Sequence, residues 1–213
     1  MFKIIIMKKI VLTIAAIVIV AGVYAQEKIQ LPQPDKTGGM PLMEALNKRA
    51  TDRGPFNGQA LSPQQMSDLL WAAWGVNRPD GKRTAPSANN SQEIELYIFT
   101  AEGAYRYDAA EHVLYWVKKG DFRKEVVTRD FGSTSVDIFF VADLSKRGGS
   151  EEQKQLMSAM DAGYISQNIY LYCASEGLGT VVYAGSLSRE KVAGHLGLKE
   201  NHWVVGGQSV GIK

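Results

Sequence analysis

The sequence predicts an α+β fold, on three observations. Strand-like and helix-like segments alternate irregularly instead of in repeating strand–helix–strand units, two strands adjoin across a hairpin turn, and one helical pattern, residues 151–177, is far longer than any other. A length of 213 residues with 45% hydrophobic content suits one globular domain of that class.

Taken in order, residues 1–25 differ from the rest. From Met7 the chain reads MKKIVLTIAAIVIVAGVYAQ: two lysines, an apolar run from Ile10 to Val23, and Val23 and Ala25 before Gln26, the layout of a secretory signal peptide. A run of about fourteen residues is too short to span a bilayer. Met1 to Ile6 read as an upstream start, and no cysteine follows the cut to mark a lipoprotein. The expectation is an exported, periplasmic protein with no stable membrane insertion after cleavage. Residues 26–40 mix prolines, glycines and charges without periodicity and read as a linker or N-terminal arm, so the domain, 41–213, should start near Pro41.

Leu42, Met43, Ala45 and Leu46 suggest a short helix. In LSPQQMSDLLWAAWG, Ser62 and Gln65 form a capping box, Pro63 takes the first helical position and Gly75 ends the helix; Met66, Leu69, Leu70, Ala73 and Trp74 make one apolar stripe. IELYIF alternates as a strand from Ile94. AYRYDAAEHVLYWV reads as a hairpin turning at Asp108 to Glu111, DFRKEVVTRD as a short helix, and SVDIFFVAD as a buried strand. The helix from Glu151 to Gly177 is apolar or small on nearly every face, which calls for burial on most sides, either among the other helices or against a second subunit. TVVYAG then predicts a strand, SREKVAGHLG a capped helix, and WVVGGQSVGI a last strand.

Composition excludes several classes. The formal net charge is +2 with no long basic run, so nucleic acid is not the expected partner. A lone cysteine, Cys173, rules out an internal disulfide, and His112, His195 and His202 lack metal-ligand spacing, so no metal site is expected. GQSVG, Gly207 to Gly211, matches a nucleophile elbow by letter, but only two residues follow it, leaving no helix and no downstream triad partners. GLGTVV follows a helix instead of opening one, unlike a dinucleotide turn.

In KRATDRGPF, Arg49, Thr51 and Arg53 are spaced by two; on an extended chain they share one face, and two guanidiniums flanking a hydroxyl can seat a phosphate. A solvated turn is the alternative. Pro86 to Gln92, PSANNSQ, offers a hydroxyl at Ser87 and amides at Asn90 and Gln92, groups that donate and accept as a flavin edge or its ribityl hydroxyls require. EGLGTVVYAG ends a strand at Ala184 and Gly185, small enough for a backbone N–H to approach a ring nitrogen.

R-x-T-x-R near the domain start, P-S-x-x-N-x-Q leading into a strand, the DAGYISQNIYLYCASEGLGT helix and a closing strand, in that order, resemble the FMN-dependent nitroreductase family, in particular its branch similar to thiazole/oxazole-forming dehydrogenases. The resemblance covers residues 41–213. It implies a central, mostly antiparallel sheet flanked by helices, a long buried helix at a homodimer interface, FMN at that interface, and hydride transfer from NAD(P)H to a quinone, nitroaromatic or related small-molecule acceptor. By position, Arg49, Thr51 and Arg53 would contact the phosphate and ring edge from one subunit. Ser87, Ala88 and Asn90 would come from the other, Ala184 and Gly185 would face the flavin N5, and Lys213 would reach the phosphate. No residue is expected to be catalytic in its own right, since the flavin carries the chemistry. The sequence departs from the family at Ala88, where relatives carry a second hydroxyl, and between Tyr107 and Arg123, where ring-edge contacts find no match. Tyr164, Tyr183 and Trp116 are core aromatics or pocket-lining ones. A redox-inactive ligand-binding protein on this fold, and a flavin oxidase of an azoline-type heterocycle, are the alternative functions.

Overall fold

The computed structural model describes residues 27–213; the expected signal peptide lies outside them. Its centre is a seven-stranded sheet of β1 (Lys28–Gln30), β3 (Ile94–Phe99), β4 (Gly103–Asp108), β5 (Val113–Lys119), β7 (Val136–Asp143), β8 (Gly179–Tyr183) and β9 (His202–Gly211). The spatial order is β1-β5-β4-β3-β7-β9-β8, with every neighbouring pair antiparallel. A separate parallel pair joins β2 (Phe56–Asn57) to β6 (Gly132–Ser133). The helices are α1 (Leu42–Lys48), α2 (Pro63–Trp74), α3 (Arg123–Val126), α4 (Glu151–Glu176) and α5 (Arg189–Leu196).

Alternation along the strands divides the core in two. Ile94, Leu96 and Ile98 of β3 with Ile138 and Phe140 of β7 pack against Leu69, Leu70 and Trp74 of α2 and Ile165, Ile169 and Cys173 of α4. Tyr97, Phe99, Phe139 and Val141 point the other way and meet Val126 of α3 and Val192 and Leu196 of α5. Both faces of β7 are therefore covered, which is why its run of apolar residues lacks a polar break. The capping box at Ser62 and Gln65 forms, with the Gln65 N–H donating to Ser62 Oγ at 3.1 Å and the Ser62 N–H to Gln65 Oε1 at 2.9 Å. Gly75 ends α2 for a steric reason: its φ is −70°, but a Cβ there would lie 2.3 Å from Trp71 Cδ1.

Two expectations change. Ordered packing begins before Pro41, because β1 extends the sheet at the β5 edge and Leu31 is buried in the first core. The arm is held further by Ser67 Oγ, which donates to Pro32 O at 2.6 Å. A three-residue edge strand is too short to show a period. The long helix α4 is buried on one face only within a single chain. Asp161, Ala162, Ile165, Ser166, Ile169, Tyr170 and Cys173 point inward, whereas Leu156, Met160 and Tyr164, four residues apart, are 58%, 46% and 44% exposed. Leu42, Met43 and Leu46 of α1 are also exposed. These residues form apolar surface that no described element covers. Among the described residues no helix is long and apolar enough to cross a membrane.

Candidate functional site

The segment after α1 is held against the β8 edge by backbone pairing, the Asp52 N–H donating to Thr180 O at 2.8 Å. Arg49, the C-cap of α1, turns extended (φ −56°, ψ 120°). Its guanidinium lies 5.4 Å from the centre of the Tyr170 ring, and Thr51 Oγ1 lies 3.1 Å from the Tyr170 hydroxyl. That hydroxyl also accepts from the Val182 N–H of β8 at 3.1 Å. Tyr170 is thus the hub that gathers Arg49, Thr51 and β8. In the sequence it is one aromatic residue in a helix of apolar and small residues, with nothing to set it apart from core.

Among the described residues neither Arg49 nor Arg53 has a carboxylate partner, and both flank the exposed Thr51. The nearby cation Lys213 is neutralised, its Nζ 2.5 Å from Asp52 Oδ2. Lys213 lies beside the predicted site, lining a cavity of about 250 Å³ with Ala50, Asp52, Tyr170 and Thr180. Its charge is already answered by Asp52, so it contributes less to an anion seat than the sequence suggests. Ala184 and Gly185 are exposed just beyond β8, and Val182 on that edge is 42% exposed.

The structure does not bring Ser87, Ala88 and Asn90 to this cluster within one chain. The Ala88 N–H donates to Asp161 of α4 (3.0 and 3.2 Å to its two oxygens), whereas Thr51 meets Tyr170, nine residues along the same helix. Nine residues of helix separate the two anchor points by about 13 Å. The loop is also more self-contained than its composition indicates. Ser87 Oγ accepts the Gln92 N–H at 2.8 Å and is half-buried, not freely exposed. The Gln92 amide is engaged on both sides, by Arg83 Nε at 2.8 Å and by Gly81 O and Asn90 Oδ1 at 3.2 and 3.0 Å. Asn90 stays exposed, with its Nδ2 unpartnered among the described residues.

Beneath the loop lies a buried charge cluster that sequence reading missed. Arg147 Nη2 is 2.5 Å from Asp161 Oδ2, and Arg147 Nε is 2.9 Å from Glu93 Oε1, although that N–H is not aligned for a hydrogen bond. The three side chains are 5%, 2% and 0% exposed for Arg147, Asp161 and Glu93. Ser91 Oγ donates to Glu93 Oε2 at 2.7 Å. Burial raises the Asp161 carboxyl above the usual range, and the nearby Glu93 adds to it despite Ala88 and Arg147. Burial acts on Glu93 in the same sense, but Ser91 and Arg147 outweigh it and hold that carboxyl low. Asn89, Asn90 and Gln92 adopt left-handed backbone (φ 57°, 53° and 46°), a conformation that asparagine tolerates better than most residues. Thus a chain of buried charges, and not only an external ligand, holds this polar loop still. No signal in the sequence joins Arg147 to Glu93, 54 positions apart.

The remaining candidates sort cleanly. Tyr183 is a buried core aromatic stacked 5.6 Å from Phe131, and the half-buried Trp116 packs against the core 4.3 Å from Tyr105. Tyr164 belongs to the open face of α4. Ser209 of GQSVG lies within β9 with its hydroxyl donating to buried Asp137 at 2.5 Å, which is not an elbow. Burial pushes the Cys173 thiol up, so it is no nucleophile. The fold also gathers Glu95, Asp143 and His202 within 4.8 Å, a trio with no shared sequence spacing. Its carboxylates already accept from Tyr97 at 3.0 Å, Asn201 at 2.6 Å and Ser145 at 2.6 Å.

Comparison with known proteins agrees with this architecture. The model of the Nitroreductase family matches residues 46–212. A candidate nitroreductase from Ralstonia eutropha JMP134, known from its crystal structure, is 40% identical and superposes with a TM-score of 0.80, over 89% of this chain and 91% of that one. A candidate nitroreductase from Methanocaldococcus jannaschii is 26% identical over 167 residues, 72% of this chain and 82% of the relative. An NADPH:FMN oxidoreductase from Vibrio harveyi, solved with NAD+, shares the fold at 21% identity and a TM-score of 0.59, over 80% of this chain and 68% of that one. With the sheet order, the helix placement and a family match spanning most of the domain, the chain belongs to the nitroreductase family of oxidoreductases.

Proposed function

We propose that two copies of this chain hold FMN between them and catalyse electron transfer from NAD(P)H to a small acceptor such as a quinone or nitroaromatic. The observation that carries the reading is that Arg49 and Arg53, on either side of the exposed Thr51 along the chain, have no carboxylate partner among the described residues. Such a donor set fits a phosphate ester, which offers only acceptors and negative charge. FMN, when bound, accepts a hydride and returns the electrons to the acceptor. The chain's own part is to bind and orient. Arg49, Thr51 and Arg53 seat the phosphate, and the exposed Ala184 and Gly185 at the end of β8 are offered to the ring.

A second copy is needed on two counts. The exposed stripe of Leu156, Met160 and Tyr164, with Leu42, Met43 and Leu46, calls for cover. The loop bearing Ser87, Ala88 and Asn90 is anchored at Asp161, about 13 Å along α4 from the Tyr170 that holds Thr51, and makes no contact with Thr51 in its own chain. Both features are met if the partner's loop completes each site. Family membership and the name of the Vibrio harveyi neighbour support FMN as the cofactor and a reduced nicotinamide as the donor.

The test is a flavin titration of the purified domain. A visible flavin spectrum or tight FMN binding is expected in the unmodified chain, and loss of both in the Arg49→Ala/Arg53→Ala variant; unchanged FMN affinity in that variant would overturn the assignment. The internal engagement of Ser87 and Gln92 favours one second reading, a flavin holder without turnover. Anaerobic bleaching of the bound FMN by NADH would eliminate it. Export to the periplasm belongs to this proposal too, tested by the N-terminal sequence of protein recovered from the periplasmic fraction, which should begin near Gln26.

A further inference from the structure

We propose that Tyr170 is a positioning residue that turns the Thr51 hydroxyl into a hydrogen-bond donor and thereby sets the preference for FMN over unphosphorylated riboflavin; the proposal rests on the flavin reading above. The argument is one of proton counting. A tyrosine hydroxyl has one proton to give and lone pairs to receive. In Tyr170, only 6% exposed, a lone pair is taken by the Val182 N–H at 3.1 Å, and the remaining neighbour is Thr51 Oγ1 at 3.1 Å. If Thr51 donated to Tyr170, the phenolic proton would be buried with no acceptor among the described residues, and an unused buried donor is costly. If Tyr170 donates to Thr51, every group is satisfied. The geometry therefore assigns the shared proton to Tyr170, and the proton of Thr51 is directed elsewhere.

That polarity has a consequence for ligand choice. Thr51 is exposed and lies between Arg49 and Arg53 along the chain, so its free O–H adds a third donor to two side chains that can only donate. Three donors match the phosphate of FMN, while the terminal hydroxyl of riboflavin is uncharged and gains little from the guanidiniums. The Tyr170 ring, 5.4 Å from the Arg49 guanidinium, also limits where that cation can lie. One side chain on α4 thus organises two of the three groups in the seat without touching the ligand.

The experiment compares FMN and riboflavin titrations of the apoprotein, by flavin fluorescence quenching, for the unmodified chain, Tyr170→Phe, Thr51→Ala and the double variant. Tyr170→Phe keeps the ring under Arg49 and removes only the hydroxyl, and a thermal melt of the variant checks that it folds. The FMN Kd of Tyr170→Phe should rise about tenfold, the riboflavin Kd should stay within about twofold, and Tyr170→Phe should add little in the Thr51→Ala background. Equal weakening of both flavins, an unchanged FMN Kd, or fully additive losses would overturn the role of Tyr170 and leave the flavin reading intact. An unmodified chain that binds neither flavin, or both equally, would overturn the phosphate seat itself.

Discussion

Replacing Arg147 with methionine tests whether the buried charge cluster holds the 87–92 loop. Methionine fills a comparable volume, but Glu93 and Asp161, 0% and 2% exposed, lose their shared cation. Removing one partner of a buried ion pair costs about 3–5 kcal/mol. An independent limit comes from the protein's escape route, which is to take up a proton. Neutralising one glutamate of ordinary pKa at pH 7 costs about 4 kcal/mol, from roughly 2.7 units at 1.36 kcal/mol each. The two routes agree, and the second adds a pH signature. At pH 5 the cost of protonation falls to about 1 kcal/mol, so the defect should shrink by about 3 kcal/mol between pH 7 and pH 5.

Urea unfolding at several pH values reads this directly, with the midpoint of thermal unfolding as a second measure; a loss of 3–5 kcal/mol should lower it by about 6–20 °C. Arg147→Met/Asp161→Asn should recover part of the loss at pH 7, because asparagine still offers an oxygen to the Ala88 N–H without the second charge. A defect under about 1 kcal/mol, or one that stays constant from pH 7 to pH 5, would refute the view that these charges lock the loop.

Two further outcomes follow from the same structure. Burial raises the Asp137 carboxyl to about 6 from a usual 3.8. The folded state therefore binds its proton more tightly than the unfolded chain, and the cost of ionising it grows as pH rises from about 4 to about 6 and is full above that, about 3 kcal/mol. The stability of Asp137→Asn relative to the unmodified chain should rise over that window; a difference independent of pH would exclude the effect. Met160→Glu places a charge in the exposed stripe of α4, where Met160 is 46% exposed. Sedimentation should show a dimer for the unmodified chain and a monomer for the variant, whereas a dimer that persists would put the subunit contact elsewhere.

How much was legible in the sequence depended on whether the information was local. Ser62 and Gln65 predicted a helix start because a capping box lies within four residues, and Ile138 to Val141 predicted a doubly covered strand because its run has no polar break. The resemblance named Arg49, Thr51 and Arg53 as a cofactor seat, and the structure adds that Arg49 and Thr51 both meet Tyr170. What stayed hidden is long-range. Tyr170 becomes a hub only when α4 packs beside β8, Arg147 meets Glu93 only through tertiary folding, and three residues of β1 carry no period. The burial expected around α4 was half met because its apolar letters do not say which of them the fold leaves at the surface.

The proposed composite site, with Ser87, Ala88 and Asn90 from one chain and Arg49, Thr51 and Arg53 from the other, is testable without a bound structure. Asp161 holds the loop and Tyr170 holds Thr51 nine residues apart on one helix, so the two halves can be disabled separately. Let one variant carry Arg49→Ala/Arg53→Ala, which removes the seat, and another carry Asn90→Glu, which sets a negative charge on the loop. Neither homodimer should bind FMN. In a mixed dimer made by co-expression, one site combines both defects, but the other joins an intact seat to an intact loop. With random pairing, roughly a quarter of all sites should regain flavin, seen as visible absorbance in doubly tagged material. If seat and loop belonged to the same chain, every site would contain one defect, and the mixed protein would stay colourless.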